Sequence, residues 1–443
     1  MNEIVNYSVE ELINKISNSQ ITSVEICEAY IERINKFEKD INAWAFFDKE
    51  LLLEKAKESD AYKKSGKPTG PLHGIPVAVK DIVGTLDMPT ECGTPIRKGK
   101  SYSQNAEIID LLTSSGAIVM GKTVTTELAY LNPSKTKNPH DYSRTPGGSS
   151  SGSAAVIASY MAPLSIGSQT GGSIIRPASY CGVVGYKPSF GLISRNGVLK
   201  TSEKLDHLGV FGKTVEDIAY LVKELIKKDS HDPATVYYSS NNMVDAVKKG
   251  PLYEPKFIFY KTEFWKSIDK KSKEAFEYFV NSLRSNKLNV IDLEIDKLIS
   301  KSDTLHLDIS GYEFKRSISH ERFNYYDQLS DQLRNGRLND GYQVSNKNYQ
   351  LALKDLSILK NQIDAVFDKT DLIITPSAPG EALKGLEYTG SPIFNTTWSL
   401  NGNPCITLPL FKGKQELPIG CQLVARFGDD DQLLNYAKAF LEL

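Results

Sequence analysis

The 443-residue sequence lacks any run of about 20 apolar residues, the length that a membrane-spanning helix requires. Its most apolar stretch, residues 154–166, is interrupted by Ser159 and Pro163. The N-terminus also lacks the charged and then apolar pattern of a secretory signal. We therefore expect a cytoplasmic protein that has no membrane partner.

Cysteine is scarce, and its spacing argues against two kinds of site. The cysteines are odd in number and none lies close to another in the sequence, which is unlike a disulfide framework or a zinc site. We expect each to be a reduced, small, buried apolar residue. The five are Cys27, Cys92, Cys181, Cys405 and Cys421.

An excess of either charge is absent too. Lys and Arg number 53 and Asp and Glu 54, which gives a net charge of −1. A nucleic-acid-binding protein usually carries a strong positive field, so we expect no direct nucleic-acid partner.

Hydrophobic residues make up 40% and charged residues 24%, a balance typical of folded globular chains. No internal repeat or clear linker divides the chain, and we predict one domain over residues 1–443.

Helix and strand signals alternate along the first part of the chain. Ser8 with Glu11, and Thr22 with Glu25, have capping-box spacing, which predicts that two helices begin there. Alternation of helices and strands predicts an α/β core. Strands are predicted in residues 71–83 and 117–120, and a helix in residues 106–115.

Residues 225–350 are more polar than the rest, and the pattern is helical over residues 262–368. We therefore predict a variable helical region at about residues 225–366 that covers the core and the substrate. Later segments return to strand patterns and end in an amphipathic helix. The strands are predicted in residues 367–380, 391–410 and 417–428, and the helix in residues 429–443.

Residues 145–191 are dominated by Gly, Ser and Ala, yet they carry regularly placed apolar residues and are unlike a flexible linker. We predict a loop, a buried helix of small residues, a strand and a second Gly-rich loop. Small side chains let backbones approach closely and leave N–H groups open to a ligand.

Two short motifs match known patterns, but the residues around them do not fit the corresponding sites. Residues 116–123 fit the phosphate-loop pattern, yet the intervening Ala-Ile-Val-Met belongs in a strand, so we reject nucleotide binding there. Ser150 lies in a G-x-S-x-G pattern, which would make it an elbow nucleophile with a histidine base. We expect Ser150 to assist substrate binding by hydrogen bonding instead, because no histidine has a recognisable setting. The histidines available are His207, His231, His306 and His320.

A stronger constellation is Lys80, Ser149 and Ser173. The segment GGSSSGSAAVIASYMAPLSIGSQTGGSIIRPASYCGVVGYKPSFG resembles the long signature of the amidase signature family of serine hydrolases. PLHGIPVAVKDI resembles the lysine strand of that family, and DLIITPSAPG, FNTTWSLNGNPCITLP and LPIGCQLVARF resemble its C-terminal segments. The resemblance covers roughly residues 8–220 and 367–443.

This resemblance implies a fold and three roles. The fold is a single α/β domain whose mixed, twisted sheet is covered on both faces by helices, with a signature core at residues 70–215 and closing segments in residues 367–443. The catalytic lysine falls on Lys80, a bridging serine that follows a cis peptide falls on Ser149, and the nucleophile falls on Ser173. No metal or organic cofactor is implied.

The chemistry of these residue types agrees with the implied roles. A serine hydroxyl is a weak nucleophile until a base takes its proton, and Lys80 can do so only when neutral. An ordinary lysine pKa is about 10.4, so work near neutral pH needs a fall of roughly three units. Val79 and Ile82 indicate a desolvated site, which lowers a lysine pKa. The alternative role of Lys80 is a buried salt bridge, for example with Asp81.

A Gly-rich turn can direct several backbone N–H groups at a carbonyl oxygen that becomes negative during attack. The residues implied as this oxyanion hole are Thr170, Gly171, Gly172 and Ser173. The alternative is that the two glycines simply make a tight turn, and both roles are compatible.

Two positions depart from the better-known members of the family. Arg176 lies three residues after Ser173, whereas many members, including transamidase subunits that serve aminoacyl-tRNA amidation, have arginine two residues after the nucleophile. The SIIRP form resembles the malonamidase-type branch. Arg176 would bind a substrate carboxylate or form a structural ion pair, and the sequence leaves both open. Gln169 stands where many relatives have Asp, which removes a formal charge near the site.

We predict an amide hydrolase that releases ammonia or an amine from a small-molecule amide through an acyl-serine intermediate. One alternative is the A-type glutaminase subunit of an aminoacyl-tRNA amidotransferase, which would depend on a partner. Another is a catalytically silent binding protein on the same fold. Residues 225–366 would shape the substrate pocket, so the amide is not identified, and a homodimer stays an open option.

Overall fold

Eleven β-strands form one mixed sheet in the computed structural model, which describes residues 3–238, 243–251, 253–293 and 301–441. The strands are β1 (Trp44–Phe46), β2 (Pro76–Lys80), β3 (Ile118–Thr123), β4 (Leu164–Gln169), β5 (Val184–Lys187), β6 (His207–Gly212), β7 (Phe257–Tyr260), β8 (Val290–Leu293), β9 (Leu372–Pro376), β10 (Cys405–Lys412) and β11 (Pro418–Ala425). Across the sheet they follow the order β1-β3-β2-β4-β6-β5-β10-β11-β9-β7-β8.

Helices flank this sheet, so the fold is the α/β arrangement that the sequence predicts. They are α1 (Val9–Ser17), α2 (Ser23–Ile41), α3 (Lys49–Lys64), α4 (Glu107–Ser114), α5 (Ser151–Ala158), α6 (Ile175–Cys181), α7 (Val215–Leu225), α8 (Met243–Lys249), α9 (Lys270–Ser285), α10 (Ser302–Ser317), α11 (Ser319–Asn324), α12 (Asp331–Leu333), α13 (Asn339–Gln343), α14 (Asn346–Val366), α15 (Thr396–Asn401) and α16 (Asp430–Leu441). In the described residues, no helix is long and apolar enough to cross a membrane.

The centre of the sheet positions the site. Strand β2 lies between β3 and β4 and is parallel to both. Every residue of β2 and β3 is buried, and most are apolar. Lys80, at the end of β2, is an exception, because a buried amine needs hydrogen-bond partners inside the protein. Because β2 and β4 are parallel, their carboxyl ends lie on the same side of the sheet. The Gly-rich loop that follows β4 therefore begins on the side where Lys80 ends β2.

Several local predictions are confirmed. Ser8 accepts a hydrogen bond from the N–H of Glu11 and Thr22 accepts one from that of Glu25, with the glutamates closing both capping boxes. All five cysteines are buried and free. The rejected phosphate-loop motif lies largely in β3, where Lys122 is fully buried and donates to the Thr90 hydroxyl at 2.7 Å.

Three predictions of secondary structure are wrong. Strands β7 and β8 lie where a polar helical cover was expected, because four-residue apolar runs such as Phe-Ile-Phe-Tyr are too short to reveal a period. Helix α15 occupies the first half of a segment predicted as strand. Helix α6 was missed within the predicted Gly-rich loop, since it has seven residues and a proline. Residues 239–242, 252 and 294–300 of the predicted variable region are outside the described residues.

Candidate active site

Lys80 is the buried cation at the end of β2. Its side chain has no exposed surface, and its Nζ donates to Ser149 Oγ at 2.7 Å and to Ser168 Oγ at 2.8 Å. Burial lowers the lysine pKa to about 7, and the charge of Asp206 opposes that shift. Lys80 therefore has the desolvated environment that its neighbours in the sequence indicate.

The alternative role of Lys80, a salt bridge with Asp81, is wrong. Among the described residues Lys80 forms no ion pair. Asp81 instead accepts the backbone N–H of Glu91 at 3.0 Å, and burial raises its pKa to about 6. The charge that opposes this rise most strongly belongs to Lys122.

Ser149 follows a cis peptide bond that joins it to Gly148, as the resemblance implies. Gly147 has a φ of 83°, a left-handed conformation that favours glycine, and it places Ser149 just before helix α5. The Ser149 carbonyl accepts the N–H of Thr126 at 3.2 Å, which holds the turn against the segment after β3. The turn thereby directs the Ser149 hydroxyl at Lys80.

Ser173 lies on the loop between β4 and α6. It lines the same cavity as Ser149, and its hydroxyl makes no hydrogen bond with a described residue. The N–H groups of Gly171 and Gly172 likewise donate to no acceptor in the described ranges. A Cβ added at Gly172 would lie 2.4 Å from Asn395 Oδ1, so glycine is needed there for space as well.

The loop is held from behind by Gln169. Its Oε1 accepts the N–H groups of Ile174 and Ile175 at 2.9 and 3.1 Å, which caps the start of α6. Its Nε2 donates to Ser399 Oγ at 3.0 Å, and that hydroxyl donates to the Gly171 carbonyl at 2.6 Å. The amide of Gln169 thus fixes the orientation of the Gly171 peptide without a formal charge.

Two more contacts hold the loop at Thr170. Its hydroxyl donates to Asp206 Oδ1 at 2.6 Å, and its carbonyl accepts from His306 Nε2 at 3.1 Å. Burial lowers the pKa of His306 to about 3, so its ring is neutral and Nε2 carries the proton. No local motif indicates the supporting roles of Ser168, Asp206, His306 and Ser399, so the sequence does not predict them.

Arg176 is almost completely buried, at 1% exposure, and lines the cavity beside Ser173. Its Nη2 donates to the Gly148 carbonyl at 2.5 Å and to Thr389 Oγ1 at 3.4 Å. Its Nε and Nη1 have no hydrogen-bond partner, and no described carboxylate pairs with it. The structural ion pair that the sequence left open is therefore not formed within the described residues.

Ser150 does not line this cavity, so the prediction that it assists substrate binding is wrong. It is fully buried, and its hydroxyl donates to the Ser168 carbonyl at 3.1 Å and accepts the Ser168 N–H at 3.2 Å. Ser150 therefore fastens the start of α5 to β4. Of the histidines considered as its base, His306 lines the cavity but is bonded to Thr170.

The cavity has a volume of about 210 Å³. Besides the two serines and Arg176, it is lined by Arg337 and by Asp303 of helix α10. The Arg337 guanidinium packs against the rings of Tyr130 and Phe314, 4.9 and 5.6 Å from their centroids. The cavity therefore combines hydroxyl groups, open backbone N–H groups and charges of both signs, and it has room for a small polar molecule.

The model of the amidase family matches residues 25–434. The A subunit of glutamyl-tRNA(Gln) amidotransferase from Thermoanaerobacter pseudethanolicus is 30% identical, with 99% of this chain and 96% of the relative covered. The corresponding protein of Lachnospira eligens is 31% identical, with 99% and 98% covered.

Solved structures agree with this match. A crystal structure of an amidase is 26% identical, with a TM-score of 0.86 and 98% and 99% of the two chains covered. The A subunit of glutamyl-tRNA(Gln) amidotransferase from Thermotoga maritima is also 26% identical, with a TM-score of 0.80 and 98% and 94% covered. A peptide amidase from Stenotrophomonas maltophilia, 24% identical with a TM-score of 0.85 and coverage of 98% and 96%, shares the fold.

Proposed function

The chain belongs to the amidase family, and from this membership we propose that it cleaves a carboxamide C–N bond through an acyl-enzyme on Ser173. The observation that carries the proposal is a fully buried Lys80 whose Nζ lies 2.7 Å from Ser149 Oγ, while Ser149 and Ser173 line one cavity. A buried lysine without a carboxylate partner is costly to fold, and general-base chemistry accounts for it.

In the first step Ser173 Oγ attacks the amide carbonyl carbon, and a C–O bond forms. The proton of Ser173 passes to Ser149, and the proton of Ser149 passes to neutral Lys80. The C–N bond then breaks, and Lys80 returns a proton through Ser149 to the leaving nitrogen. A water molecule next attacks the acyl-Ser173 ester with the same general base, which releases the carboxylic acid and regenerates the serine.

The carbonyl oxygen becomes negative during each attack and needs hydrogen-bond donors. We assign this role to the backbone N–H groups of residues 170–173, which include the open N–H groups of Gly171 and Gly172. Gln169 and Ser399 would keep the Gly171 peptide in a fixed orientation before substrate arrives. No step in this scheme requires a metal or an organic cofactor.

Arg176 is assigned to a carboxylate of the substrate. The Arg176 guanidinium lines the cavity, its Nε and Nη1 are buried without a hydrogen-bond partner, and no described carboxylate pairs with it, so an anionic group of a ligand would supply the missing partner. The substrate would then be a small amide that also bears a carboxylate, held with its carbonyl beside Ser173.

A second candidate is an A-type subunit that cleaves glutamine and passes ammonia to an aminoacyl-tRNA on a partner. The curated relatives at 30–31% identity over nearly the whole chain carry this name and favour it. Arg176, three residues after Ser173, favours the free-standing amidase. Both candidates share the acyl-Ser173 chemistry, and a catalytically silent binding protein would not need Lys80, Ser149 and Ser173 together.

Ammonia release tests the proposal. The purified chain is incubated with glutamine, asparagine, succinamate and butyramide, and ammonia is measured with and without a lysate as a source of partners. The proposal predicts ammonia from at least one amide and none above background from the Ser173→Ala variant. Release that requires lysate favours the amidotransferase candidate. The matched control is Ser150→Ala, since Ser150 is adjacent to Ser149 in the sequence but lies outside the cavity.

A further inference from the structure

A second cavity lies apart from the one beside Ser173, and the described residues that line the two are entirely different. Its volume is about 650 Å³, which is in the range of small-molecule sites. Part of its wall is fixed to the segment that follows β2. Val198 forms a β-bridge with Val83, and the Leu199 N–H donates to the Ile82 carbonyl at 2.9 Å. This wall is therefore held in place before any ligand binds.

Basic residues outnumber acidic ones in the lining of this second cavity. The basic residues are Arg97, Lys100, Lys200, Lys204 and Arg316, and the acidic residues are Glu203 and Glu313. Arg97 pairs with Glu321 at 2.7 Å. Lys200 pairs with Glu203 at 3.0 Å. Each pair neutralises one cation, and positive charge remains in excess.

The other three cations, Lys100, Lys204 and Arg316, form no ion pair in the described part of the chain. Arg316 donates to the Tyr312 hydroxyl at 3.4 Å, which leaves its charge unpaired. Burial lowers the pKa of Lys360, and the charge of nearby Lys204 lowers it further, so two like charges lie close together. Unpaired cations are ordinary on an open surface, but several that line one concave cavity make its potential positive.

Glu313, the buried carboxylate of this lining, is bonded to neutral groups. One of its oxygens accepts the Tyr349 hydroxyl at 2.6 Å, and the other accepts the Lys204 N–H at 3.1 Å and the Ser202 hydroxyl. These bonds join helices α10 and α14 to the loop that begins at Ser202. Glu313 therefore holds the walls of the cavity together and forms no ion pair with Lys204 or Arg316.

Aromatic rings form another part of the lining. Tyr312 and Tyr349 stack with their centroids 4.1 Å apart and an angle of 14° between the rings, and Tyr102 lies in the same lining. Rings that are fixed by stacking provide a rigid apolar surface beside the cations. The cavity therefore suits an anionic group and offers apolar surface to whatever that group is attached to.

We propose that this second cavity binds a phosphate group, either as the free ion or as the monoester of a ring-bearing molecule such as a nucleoside. A phosphate monoester carries about two negative charges and three strong acceptor oxygens, so several cations can share it. A carboxylate offers one charge and two oxygens. Lys204 and Arg316 are the residues assigned to contact the phosphate. The proposal goes beyond amide cleavage and requires neither Ser173 nor an amide.

Three probes separate the phosphate from the ring. Titration calorimetry on the full-length parent protein measures the binding of inorganic phosphate, AMP and adenosine. We expect phosphate or AMP to bind once per chain with a Kd of about 1 mM or lower. Adenosine lacks the phosphate and should bind at least about 10-fold more weakly than the better of the two. Tighter binding of AMP identifies a monoester as the ligand, and equal or tighter binding of phosphate identifies the free ion.

A double variant assigns the binding to this cavity. Lys204→Met with Arg316→Met should weaken binding by about 10-fold or more, since each cation contributes a charge-assisted hydrogen bond. The control is Lys347→Met with Lys354→Met, which removes two exposed lysines of helix α14 outside the lining and should change the affinity by less than about twofold.

Three results would overturn the inference: no saturation by phosphate or AMP at about 10 mM, adenosine that binds as well as AMP, or equal losses in the two double variants. None of the probes is an amide, so ammonia release from amides tests the proposed function independently of this site.

Discussion

The Nζ atom of Lys80 lies 2.7 Å from Oγ of Ser149, and the Lys80 side chain has no exposed surface. Ser168 Oγ, at 2.8 Å, is its other partner. A lysine held by two hydroxyl groups gains little compensation for lost hydration, so its neutral form is favoured near physiological pH. This environment suits Lys80 to the proposed role of general base. Three predictions concern Lys80 and the cavity beside it, and a fourth concerns a buried ion pair elsewhere in the fold.

The first prediction concerns pH. Lys80 must be neutral to accept a proton, and its pKa is about 7, so kcat/KM should rise as pH increases through 7 and then level off. Lys80→Ala should lower kcat/KM by about 100- to 10,000-fold, the range for loss of a general base. A pH–rate profile between about 5.5 and 9 on a working amide checks both. A flat profile, or a Lys80→Ala protein with normal activity, would contradict the role.

The second prediction concerns the carboxylate of the substrate. In Arg176→Met, the guanidinium that faces the cavity is lost, and kcat/KM for succinamate should fall by about 100-fold, equivalent to roughly 2.7 kcal/mol. Butyramide lacks a carboxylate and serves as the internal control, with a change of less than about threefold. Equal losses on both substrates would show that Arg176 acts through the Gly148 turn, to which it also donates.

The third prediction concerns space in the Gly-rich loop. An alanine at Gly172 would place Cβ 2.4 Å from Asn395 Oδ1 and 3.0 Å from Pro392 Cβ, so the loop must shift. Gly172→Ala should lower kcat by about 100-fold or more, as loss of an oxyanion donor does. The matched control is Gly171→Ala, whose Cβ would meet the His306 ring at 3.3 Å and which should lose less activity. Partial recovery in Gly172→Ala with Asn395→Ala would identify the clash as the cause.

The fourth prediction concerns stability away from the site. Arg195 donates to both oxygens of Asp232 at 2.9 Å, and both side chains are buried. This pairing outweighs burial and lowers the Asp232 pKa to about 2, below an ordinary value of about 3.9. Because the folded pKa is depressed, the stabilisation is present above about pH 4 and is lost as pH falls toward 2.

Urea unfolding measures that contribution. Asp232→Asn should lower the free energy of unfolding at pH 7 by about 3 kcal/mol, since buried Arg195 loses its bidentate carboxylate and keeps only the more distant Glu203 carboxylate, at 3.7 Å. Asp327→Asn is the control, because that carboxylate is 99% exposed and should change stability by less than about 0.5 kcal/mol. Similar unfolding midpoints for the two variants would refute the assignment.

Much of the central architecture could be predicted from the sequence because its signals are local. Capping boxes at Ser8 and Thr22 depend on residues three apart, and the small-residue segment has a long, specific pattern. Strand β7 was missed because a four-residue apolar run has no measurable period. Helix α15 replaced a predicted strand, since contacts with the core outweigh intrinsic preference in so short a segment.

The same distinction between local and long-range signals applies to the residues of the site. A motif indicates Lys80, Ser149 and Ser173, and the structure brings the first two into contact and the last two into one cavity. Asp303 and Arg337 are more than 100 residues from that motif and reach the cavity only through the packing of helix α10 and its neighbours. No local pattern reports such a placement, and the exclusion of Ser150 from the cavity likewise depends on its bonds to Ser168.

The central claim is that Ser173 is the nucleophile, and covalent labelling tests it most directly. The purified protein is treated with a fluorophosphonate probe, and the adduct is located by peptide mass spectrometry. We predict an adduct on Ser173 that is absent from Ser173→Ala, strongly reduced in Lys80→Ala and retained in Ser150→Ala. An adduct on Ser150, or no adduct on folded protein that still releases ammonia from an amide, would contradict the account.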